Sequence, residues 1–137
     1  METTLLDIQK SFEEMPFFKF IGFEILEFDE DRVLLKLDIR EDFLNNNNTL
    51  HGGIYASMID QVLAMIIRAK TKSRCATINL NINYLAPISA GTIYATGRII
   101  QLGYRITQAE GEIYTGDGTV LAKGIGSFKI IRDKSSD

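Results

Sequence analysis

The residues best suited to chemistry lie in one stretch, where His51-Gly52-Gly53 precedes a long apolar run that contains Asp60. His51 is the only histidine of the chain. A glycine pair at the start of a helix leaves backbone N–H groups and the positive end of the helix dipole uncrowded, and such an end can hold a developing oxyanion. A carboxylate can act as a nucleophile or as a general base. The stretch therefore contains both groups that attack on a carbonyl requires.

The apolar run predicts a buried helix from Ile54 to Arg68, because it contains no Gly or Pro and its apolar side chains lie almost all round the axis. Four residues at helical spacing interrupt it and form one narrow small or polar stripe: Ser57, Asp60, Gln61 and Ala64. A carboxylate in such a helix is costly without a partner, so Asp60 is either a structural hydrogen-bond hub or a chemical group. The open helix end at Gly52 favours the chemical role.

Helix geometry separates the two candidate groups. Asp60 follows Gly52 by eight residues, or about 12 Å along the axis, and the tilt of the side chain recovers only part of this distance. One reacting carbonyl must lie about 3 Å from both the oxyanion donor and the nucleophile or base. If both groups are catalytic, the Gly52 helix end of one subunit must meet Asp60 of another. This predicts two equivalent sites in a symmetric dimer.

A short helix and a hairpin are predicted before this stretch. Thr4 can cap an amphipathic helix over about residues 4–15, which ends before Pro16. After the aromatic residues of 17–20, two strand-like runs follow, Phe23 to Phe28 and Arg32 to Arg40, joined by an acidic turn.

Four further strands are predicted after the helix, and Gly116-Asp117-Gly118 is the strongest of the turn signals between them. These strands are Cys75 to Leu85, Thr92 to Leu102, Arg105 to Thr115, and Thr119 to Ile131. The element order predicts one α+β domain over residues 1–137, with a core from about 17 to 131. In this fold an antiparallel β-sheet wraps around the long central α-helix.

The first of these four strands alternates strictly, with Ile78, Leu80 and Ile82 on one face and Thr77 and the asparagines on the other. At a sheet edge this strand would lack the Lys or Pro that usually blocks pairing, and it would then accept a second subunit. A position in the middle of the sheet is equally compatible with the pattern.

Composition restricts the function classes. The chain has 137 residues, 45% of them hydrophobic, and a net charge of -3, which is typical of a soluble globular domain and offers no basic patch for nucleic acid or an anionic membrane. Met1 to Lys10 carry acids and no long apolar core, so we expect no signal peptide and a cytoplasmic location. One cysteine, Cys75, and one histidine leave too few ligands for a Cys/His zinc site, and Cys75 is expected to be a small buried side chain.

Asn45, His51-Gly52-Gly53 and Asp60, in this order and with these elements, resemble the signature of hotdog-fold acyl-CoA thioesterases of the PaaI (phenylacetate-pathway) type. The resemblance extends from about Phe17 to Ile131. It implies the hotdog fold and a hydrolase that cleaves the thioester of a small aryl- or acyl-CoA. It also implies a homo-oligomer, either a dimer or a dimer of dimers (a homotetramer), and no cofactor, because coenzyme A is part of the substrate.

The resemblance also implies roles for individual catalytic residues. The amide of Gly52 polarises the thioester carbonyl, and Asn45 positions that carbonyl or the water. Asp60 of the partner subunit attacks as nucleophile or activates water, and Thr77 orients the water or the acid. His51 either touches the substrate or braces the loop by hydrogen bonds. A thioester has a good thiolate leaving group, so one carboxylate and a few donors suffice without a catalytic triad or a metal.

Several points stay open at the level of the sequence. Gly53, Gln61 and Tyr84 are expected to bind the rest of the substrate, whose acyl group can be aryl, short-chain or medium-chain. Asn45 is chosen as the working residue by its spacing, and Asn46 and Asn47 are the alternatives among the consecutive asparagines. Asn48 stands where family members often have Gly, and it can adopt the same left-handed backbone. A non-hydrolytic acyl-CoA-binding or regulatory hotdog protein is the alternative function, and a hotdog hydratase ranks below it.

Overall fold

Three α-helices and six β-strands make up residues 3–132, the part of the chain that a computed structural model describes. In chain order these are α1 (Leu5–Glu13), α2 (Pro16–Ile21), β1 (Glu24–Phe28), β2 (Val33–Asp38), α3 (Gly52–Thr71), β3 (Arg74–Tyr84), β4 (Thr92–Gln101), β5 (Ile106–Thr115) and β6 (Val120–Ile131). A 3₁₀ helix, Glu41–Phe43, lies between β2 and α3. The predicted domain span of 1–137 extends beyond the described residues at both ends.

All six strands form one antiparallel sheet in the order β1-β2-β4-β5-β6-β3. Helix α3 packs against β2, β3, β4, β5 and β6, and its nine buried residues belong to the same hydrophobic core as the inward residues of the sheet. The predicted α+β arrangement of a sheet around a central helix is confirmed. The predicted hairpin of β1 and β2 is also present.

The N-terminal segment contains a helix that the sequence analysis did not predict. Thr4 caps α1 as expected, in a reciprocal capping box with Asp7. The aromatic residues that follow form α2, which begins at Pro16 and ends at Gly22 in a left-handed conformation, φ 96°. With only six residues, α2 is too short to show helical periodicity, although its Pro at the start and Gly after the end are helix signals.

Glycines on the inner face of the sheet allow α3 to approach it closely. Gly111 of β5 pairs with Gly97 on one side and with Gly124 on the other, so three glycines form a row across neighbouring strands. A Cβ at Gly124 would lie 2.7 Å from Cγ2 of Ile59 on α3. A Cβ at Gly111 would lie 3.1 Å from Cδ2 of Leu63, also on α3, whereas a Cβ at Gly97 would meet the backbone of β5. Such contacts are shorter than packing allows, so the helix can occupy its position because Gly111 and Gly124 lack side chains.

Strand β3 lies at one edge of the sheet and pairs only with β6 within residues 3–132. The outer edge of β3 therefore presents unpaired backbone groups along eleven residues. The sequence left open whether this strand lies at the edge or in the middle of the sheet, and in the structure it lies at the edge.

A β-bulge interrupts β3 next to the central helix. The pairing with β6 shifts between Thr77 and Asn79, which makes Ile78 an extra residue. Ile78 is 53% exposed, whereas Leu80 and Ile82 pack against the core, so the prediction that the three share one face of the strand was wrong. The alternation reverses at the bulge because of the extra residue, and Thr77 rather than Ile78 faces α3.

We expect Gly124→Ala to lower the free energy of unfolding by about 1–3 kcal/mol, since the added methyl group would have to displace α3 from the sheet. The matched control is Gly116→Ala, because the nearest atom to a Cβ there is Cε2 of Tyr94 at an ordinary 3.9 Å. That change should stay within about 0.5 kcal/mol of wild type. Urea unfolding at equal protein concentrations measures both values, and equal effects of the two substitutions would contradict close helix packing.

Candidate active site

The start of α3 is organised by His51, which is the N-cap of the helix. Nδ1 of His51 accepts a hydrogen bond of 2.8 Å from the backbone N–H of Gly53, and the His51 carbonyl accepts one of 3.0 Å from Ile54. A Cβ at residue 53 would lie 3.0 Å from Nδ1, so Gly53 makes room for the ring. The N–H of Gly53, a predicted substrate-binding residue, is therefore already used within the chain.

The backbone N–H of Gly52 has no acceptor within residues 3–132. Gly52 is the first residue of α3, so this N–H lies at the positive end of the helix dipole. It is consequently the amide that can donate a hydrogen bond to a substrate oxygen, as the sequence analysis expected.

Two tyrosines connect the start of α3 to the end of β3. The hydroxyl of Tyr84 donates to the carbonyl of Gly52 at 3.2 Å, and the hydroxyl of Tyr55 donates to the carbonyl of Ala86 at 3.1 Å. Their rings meet edge to face with centroids 5.5 Å apart. Burial raises the pKa of Tyr55 above its ordinary value, so its hydroxyl stays protonated at neutral pH and remains a donor.

Asn45 has a different environment from the three asparagines that follow it. Its Oδ1 accepts hydrogen bonds from the N–H groups of Asn47 and Thr49 and from the Thr49 hydroxyl, at 2.9, 3.2 and 3.2 Å. These bonds occupy the carbonyl oxygen and leave the amide NH₂ as a donor. Asn46, Asn47 and Asn48 are exposed, whereas Asn45 is half-buried. Asn48 has the left-handed conformation anticipated from the sequence, φ 60°.

A cavity of about 350 Å³ lies beside Gly52 and Asn45. Its wall combines polar groups of the Asn loop with apolar side chains: Asn45, Thr49, Leu50, Gly52, Tyr55, Tyr84, Leu85, Ala86 and Pro87. The residues after β3 reach this cavity because the N–H of Leu50 donates to the carbonyl of Ile88 at 2.7 Å. Leu85, Ala86 and Pro87, which form one wall, were not among the site residues predicted from the sequence.

A larger cavity of about 560 Å³ lies on the opposite face of the sheet, bordered by charged side chains such as Arg98, Glu110 and Lys123. It contains neither Gly52 nor Asp60. Size alone would favour it, but we assign the candidate site to the smaller cavity because that one adjoins an available helix-terminal amide and the Asn45 side chain.

Asp60 is oriented by Thr77 across the space between α3 and β3. The Thr77 hydroxyl donates a hydrogen bond of 2.6 Å to Oδ1 of Asp60, and the bulge at Ile78 is what turns Thr77 toward the helix. Oδ2 has no hydrogen-bond partner in the described part of the chain. Asp60 and its neighbour Gln61 are half-buried, so the carboxylate has one oxygen fixed and one available.

Within one chain the predicted site residues form two groups. Asn45, His51, Gly52 and Tyr84 surround the start of α3, while Asp60 and Thr77 lie two turns further along, about 12 Å by the rise of the helix. The structure therefore brings the residues of each group together but does not join the groups. Asp60 lies next to the open edge of β3, where a second chain has access.

Cys75 faces α3 from the same strand as Thr77. Its Sγ lies 4.0 Å from the carbonyl of Ala64, and burial raises the pKa of the thiol to about 11. The thiolate is the reactive form of cysteine, so this side chain is inert at neutral pH. Cys75 is half-buried and packs against the core, so the expectation of a small buried side chain is met in part.

Residues 3–132 contain no group of three or more His, Cys, Asp and Glu side chains that could hold a metal ion. None of the helices in this range has the length and apolar character needed to cross a membrane.

The fold and the candidate site define a hotdog protein with a helix-terminal amide, a cavity and a helix-borne carboxylate. The chain belongs to the thioesterase superfamily, because the model of that family matches residues 47–122, more than half of the sequence. The predicted hotdog fold and family resemblance are thereby confirmed, and membership supports a hydrolase activity.

Individual relatives agree with this assignment. A candidate esterase from Saccharolobus solfataricus is 29% identical over 136 residues, which cover 98% of this chain and 97% of the relative. A Salmonella typhimurium protein named as a medium/long-chain acyl-CoA thioesterase is 23% identical over 133 residues, 85% of this chain and 86% of its own. The structure of the Escherichia coli PaaI protein matches with a TM-score of 0.86 at 22% identity, covering 93% and 92% of the two chains.

We expect Cys75 of the folded protein to resist thiol reagents at pH 8. With its pKa raised to about 11, only about one thiol in a thousand is ionised at that pH. Because a raised thiol pKa favours the neutral form, folding stability is also expected to fall as the pH rises from the unfolded value toward 11. Reaction with Ellman's reagent in buffer and in urea measures the accessible thiol; rapid stoichiometric labelling without urea would contradict burial.

Proposed function

We propose that the protein is an acyl-CoA thioesterase whose sites form between two subunits. Each site takes the Gly52 amide and the Asn45 side chain from one subunit and Asp60 with Thr77 from the other. The observation that carries the proposal is the state of Asp60, whose Oδ1 is held by Thr77 at 2.6 Å while Oδ2 is available beside an unpaired strand edge. A carboxylate oriented in this way is suited to attack or to proton removal.

The open edge of β3 supports association of two chains. Strand β3 has eleven residues and pairs with β6 along one edge, but its outer edge has no partner strand in the described structure. An antiparallel contact between the β3 strands of two chains, about a two-fold axis, would pair that edge. Such a contact would also place the two α3 helices side by side in opposite directions. The start of each helix would then lie near the middle of the other, as a common site for Gly52 and Asp60 requires.

The mechanism follows from the available donors and acceptors. The thioester oxygen accepts hydrogen bonds from the Gly52 N–H and the Asn45 NH₂, which stabilise the negative charge that develops on it. Asp60 either removes a proton from water, whose oxygen then bonds to the carbonyl carbon, or attacks that carbon directly. In both routes the C–S bond breaks and the thiolate of coenzyme A leaves with the bonding electron pair. In the first route the proton held by Asp60 then passes to the thiolate or to solvent; in the second, water hydrolyses the anhydride between Asp60 and the acyl group, which releases the acid and restores the carboxylate. Thr77 keeps the carboxylate directed toward the carbon.

The cavity beside Gly52 supports an acyl group as the buried part of the substrate. Its volume of about 350 Å³ is at the lower end of the range for ligand pockets, which are lined mainly by apolar side chains with a few polar groups. Leu50, Leu85, Ala86 and Pro87 provide that apolar wall, and Tyr84 borders it. Gln61, half-buried next to Asp60, is proposed to contact the substrate on the other side.

We propose that coenzyme A enters as part of the substrate, that no separate cofactor takes part, and that the enzyme acts in the cytoplasm as a dimer or a dimer of dimers. The relative named as a medium/long-chain acyl-CoA thioesterase supports the coenzyme A ester as the substrate class. A hotdog protein that binds acyl-CoA without cleaving it is the alternative.

We expect wild type to release free thiol from at least one of phenylacetyl-, benzoyl-, butyryl-, hexanoyl- and lauroyl-CoA, and Asp60→Asn to lower kcat at least about 100-fold. Asn preserves the size of the side chain and the acceptor for Thr77, but it is neither a base nor a nucleophile. Steady-state thiol release measures the effect. Asp31→Asn, an exposed acid in the turn after β1, is the matched control and should retain wild-type activity.

The same experiment separates the two functions. Binding of an acyl-CoA by wild type and Asp60→Asn with equal affinity, and turnover by neither, would establish the binding protein and remove the catalytic role of Asp60. Fully retained kcat in Asp60→Asn would also exclude this mechanism.

If each site takes Gly52 from one subunit and Asp60 from the other, two differently defective subunits can form one intact site together. Gly52→Pro removes the proposed oxyanion N–H at the first helical position, where proline is tolerated, and the extended backbone of His51, φ -64° and ψ 137°, suits a residue before proline. We expect kcat of this variant to fall by a factor of about 10²–10³. Refolding it together with Asp60→Asn should restore about a quarter of wild-type activity, since half of the random dimers are mixed and each has one intact site.

The control is Gly52→Ala, which keeps the N–H and brings its Cβ only to an ordinary 3.5 Å from the Tyr84 ring; it should remain active. The thioesterase activity measured before and after mixing shows whether Gly52 and Asp60 of different subunits act in one site. An absence of recovery on mixing, with mixed dimers demonstrated by mass spectrometry, would mean that Gly52 and Asp60 do not act across an interface.

A further inference from the structure

We infer that His51 is a positioning residue that supports catalysis only as the neutral ring with its proton on Nε2. This inference rests on the proposed function, because the group it positions is the Gly52 amide that receives the oxyanion. It assigns the single histidine no step of proton transfer.

The hydrogen bond at Nδ1 fixes the state of the ring. Nδ1 accepts the Gly53 N–H at 2.8 Å, so its lone pair is engaged and it carries no proton. A neutral imidazole then has its proton on Nε2, which is a donor. Neither nitrogen is left with a free lone pair, and the ring therefore cannot act as a general base while the cap is intact.

The cap matters because the two residues after His51 are glycines. Gly52 lies between the capping ring and the capped N–H of Gly53, and without side chains both residues have wide backbone freedom. Four other hydrogen bonds hold this segment: the His51 N–H donates to the carbonyl of Phe43 at 2.9 Å, the Ile54 N–H to the carbonyl of His51 at 3.0 Å, and the hydroxyls of Tyr84 and Ser57 to the carbonyls of Gly52 and Gly53 at 3.2 and 2.8 Å. None of them engages the N–H of Gly53, so within residues 3–132 the ring is the contact that fixes this N–H beside the Gly52 amide.

Protonation of His51 would undo this arrangement. Nδ1 would become a donor facing another donor, and a positive charge would lie at the positive end of the helix dipole. The charged side chains on the surrounding segments are Arg40, Glu41, Asp42 and, two turns along α3, Asp60; Arg40 already contacts Asp42 at 3.2 Å. Tyr84 is the titratable group of the adjoining strand, and residues 44–50 and 85–91 carry no charge.

The test uses the fact that the chain has one histidine, so its ring nitrogens can be observed by ¹⁵N NMR without assignment. At pH 8 we expect an unprotonated Nδ1 and a protonated Nε2. On acidification, kcat should fall with the same midpoint as ring protonation. His51→Asn keeps a good N-cap acceptor that does not titrate; we expect kcat within about fivefold of wild type, without that loss at low pH. His51→Ala removes the acceptor and should lower kcat at least about tenfold with little change in KM.

Three results would overturn the inference: a proton on Nδ1 at pH 8, an unchanged low-pH loss in His51→Asn, or equal damage by Asn and Ala, which would indicate that the ring itself does chemistry. The NMR result and His51→Asn decide the question even where His51→Ala unfolds. A wild-type protein that hydrolyses none of the acyl-CoA esters would defeat the proposed function instead, and the ring nitrogens would still decide whether the cap exists.

Discussion

The contact between α3 and the glycine row of the sheet determines most of what the structure can do. Gly111 and Gly124 leave no side chain between their strands and the helix, so the helix is held both close and in one rotation about its axis. That rotation directs its apolar residues into the core. It also places the stripe that contains Asp60 along the side that borders β3. The carboxylate is only half-buried there, so the free-energy cost of removing its charge from water is small.

A second constraint acts on the strand opposite that stripe. Without the bulge at Ile78, the alternation of β3 would turn Thr77 away from α3 and leave Asp60 with no partner on the described chain. One inserted residue thus converts an exposed strand position into the group that orients the acid. Bulges often change the direction of side chains next to functional sites. Here the redirected residue is Thr77, a short β-branched side chain with few rotamers, so fixing its hydroxyl costs little conformational entropy.

Local sequence patterns predicted every strand, the central helix and the cap of α1 because those patterns depend on nearby residues alone. The left-handed Asn48 and the availability of the Gly52 amide also followed from residue type and position. The bulge could not be predicted, because it depends on the pairing of β3 with a strand some fifty residues later in the chain. Asn45 was chosen among its neighbours by its spacing from His51, but the hydrogen bonds from Asn47 and Thr49 that fix its Oδ1 depend on the conformation of the loop, which the run of asparagines does not reveal.

Helix α3 is one continuous element of twenty residues, and in the proposed dimer each copy contributes its first turn to one site and its middle to the other. A rigid rod with two functional positions transmits displacement between them. Sliding of one helix along its axis would change the gap between amide and carboxylate in both sites at once. In that dimer the two sites would be mechanically linked without any dedicated pathway, and a substrate that draws one gap to its reactive spacing would also act on the geometry of the other.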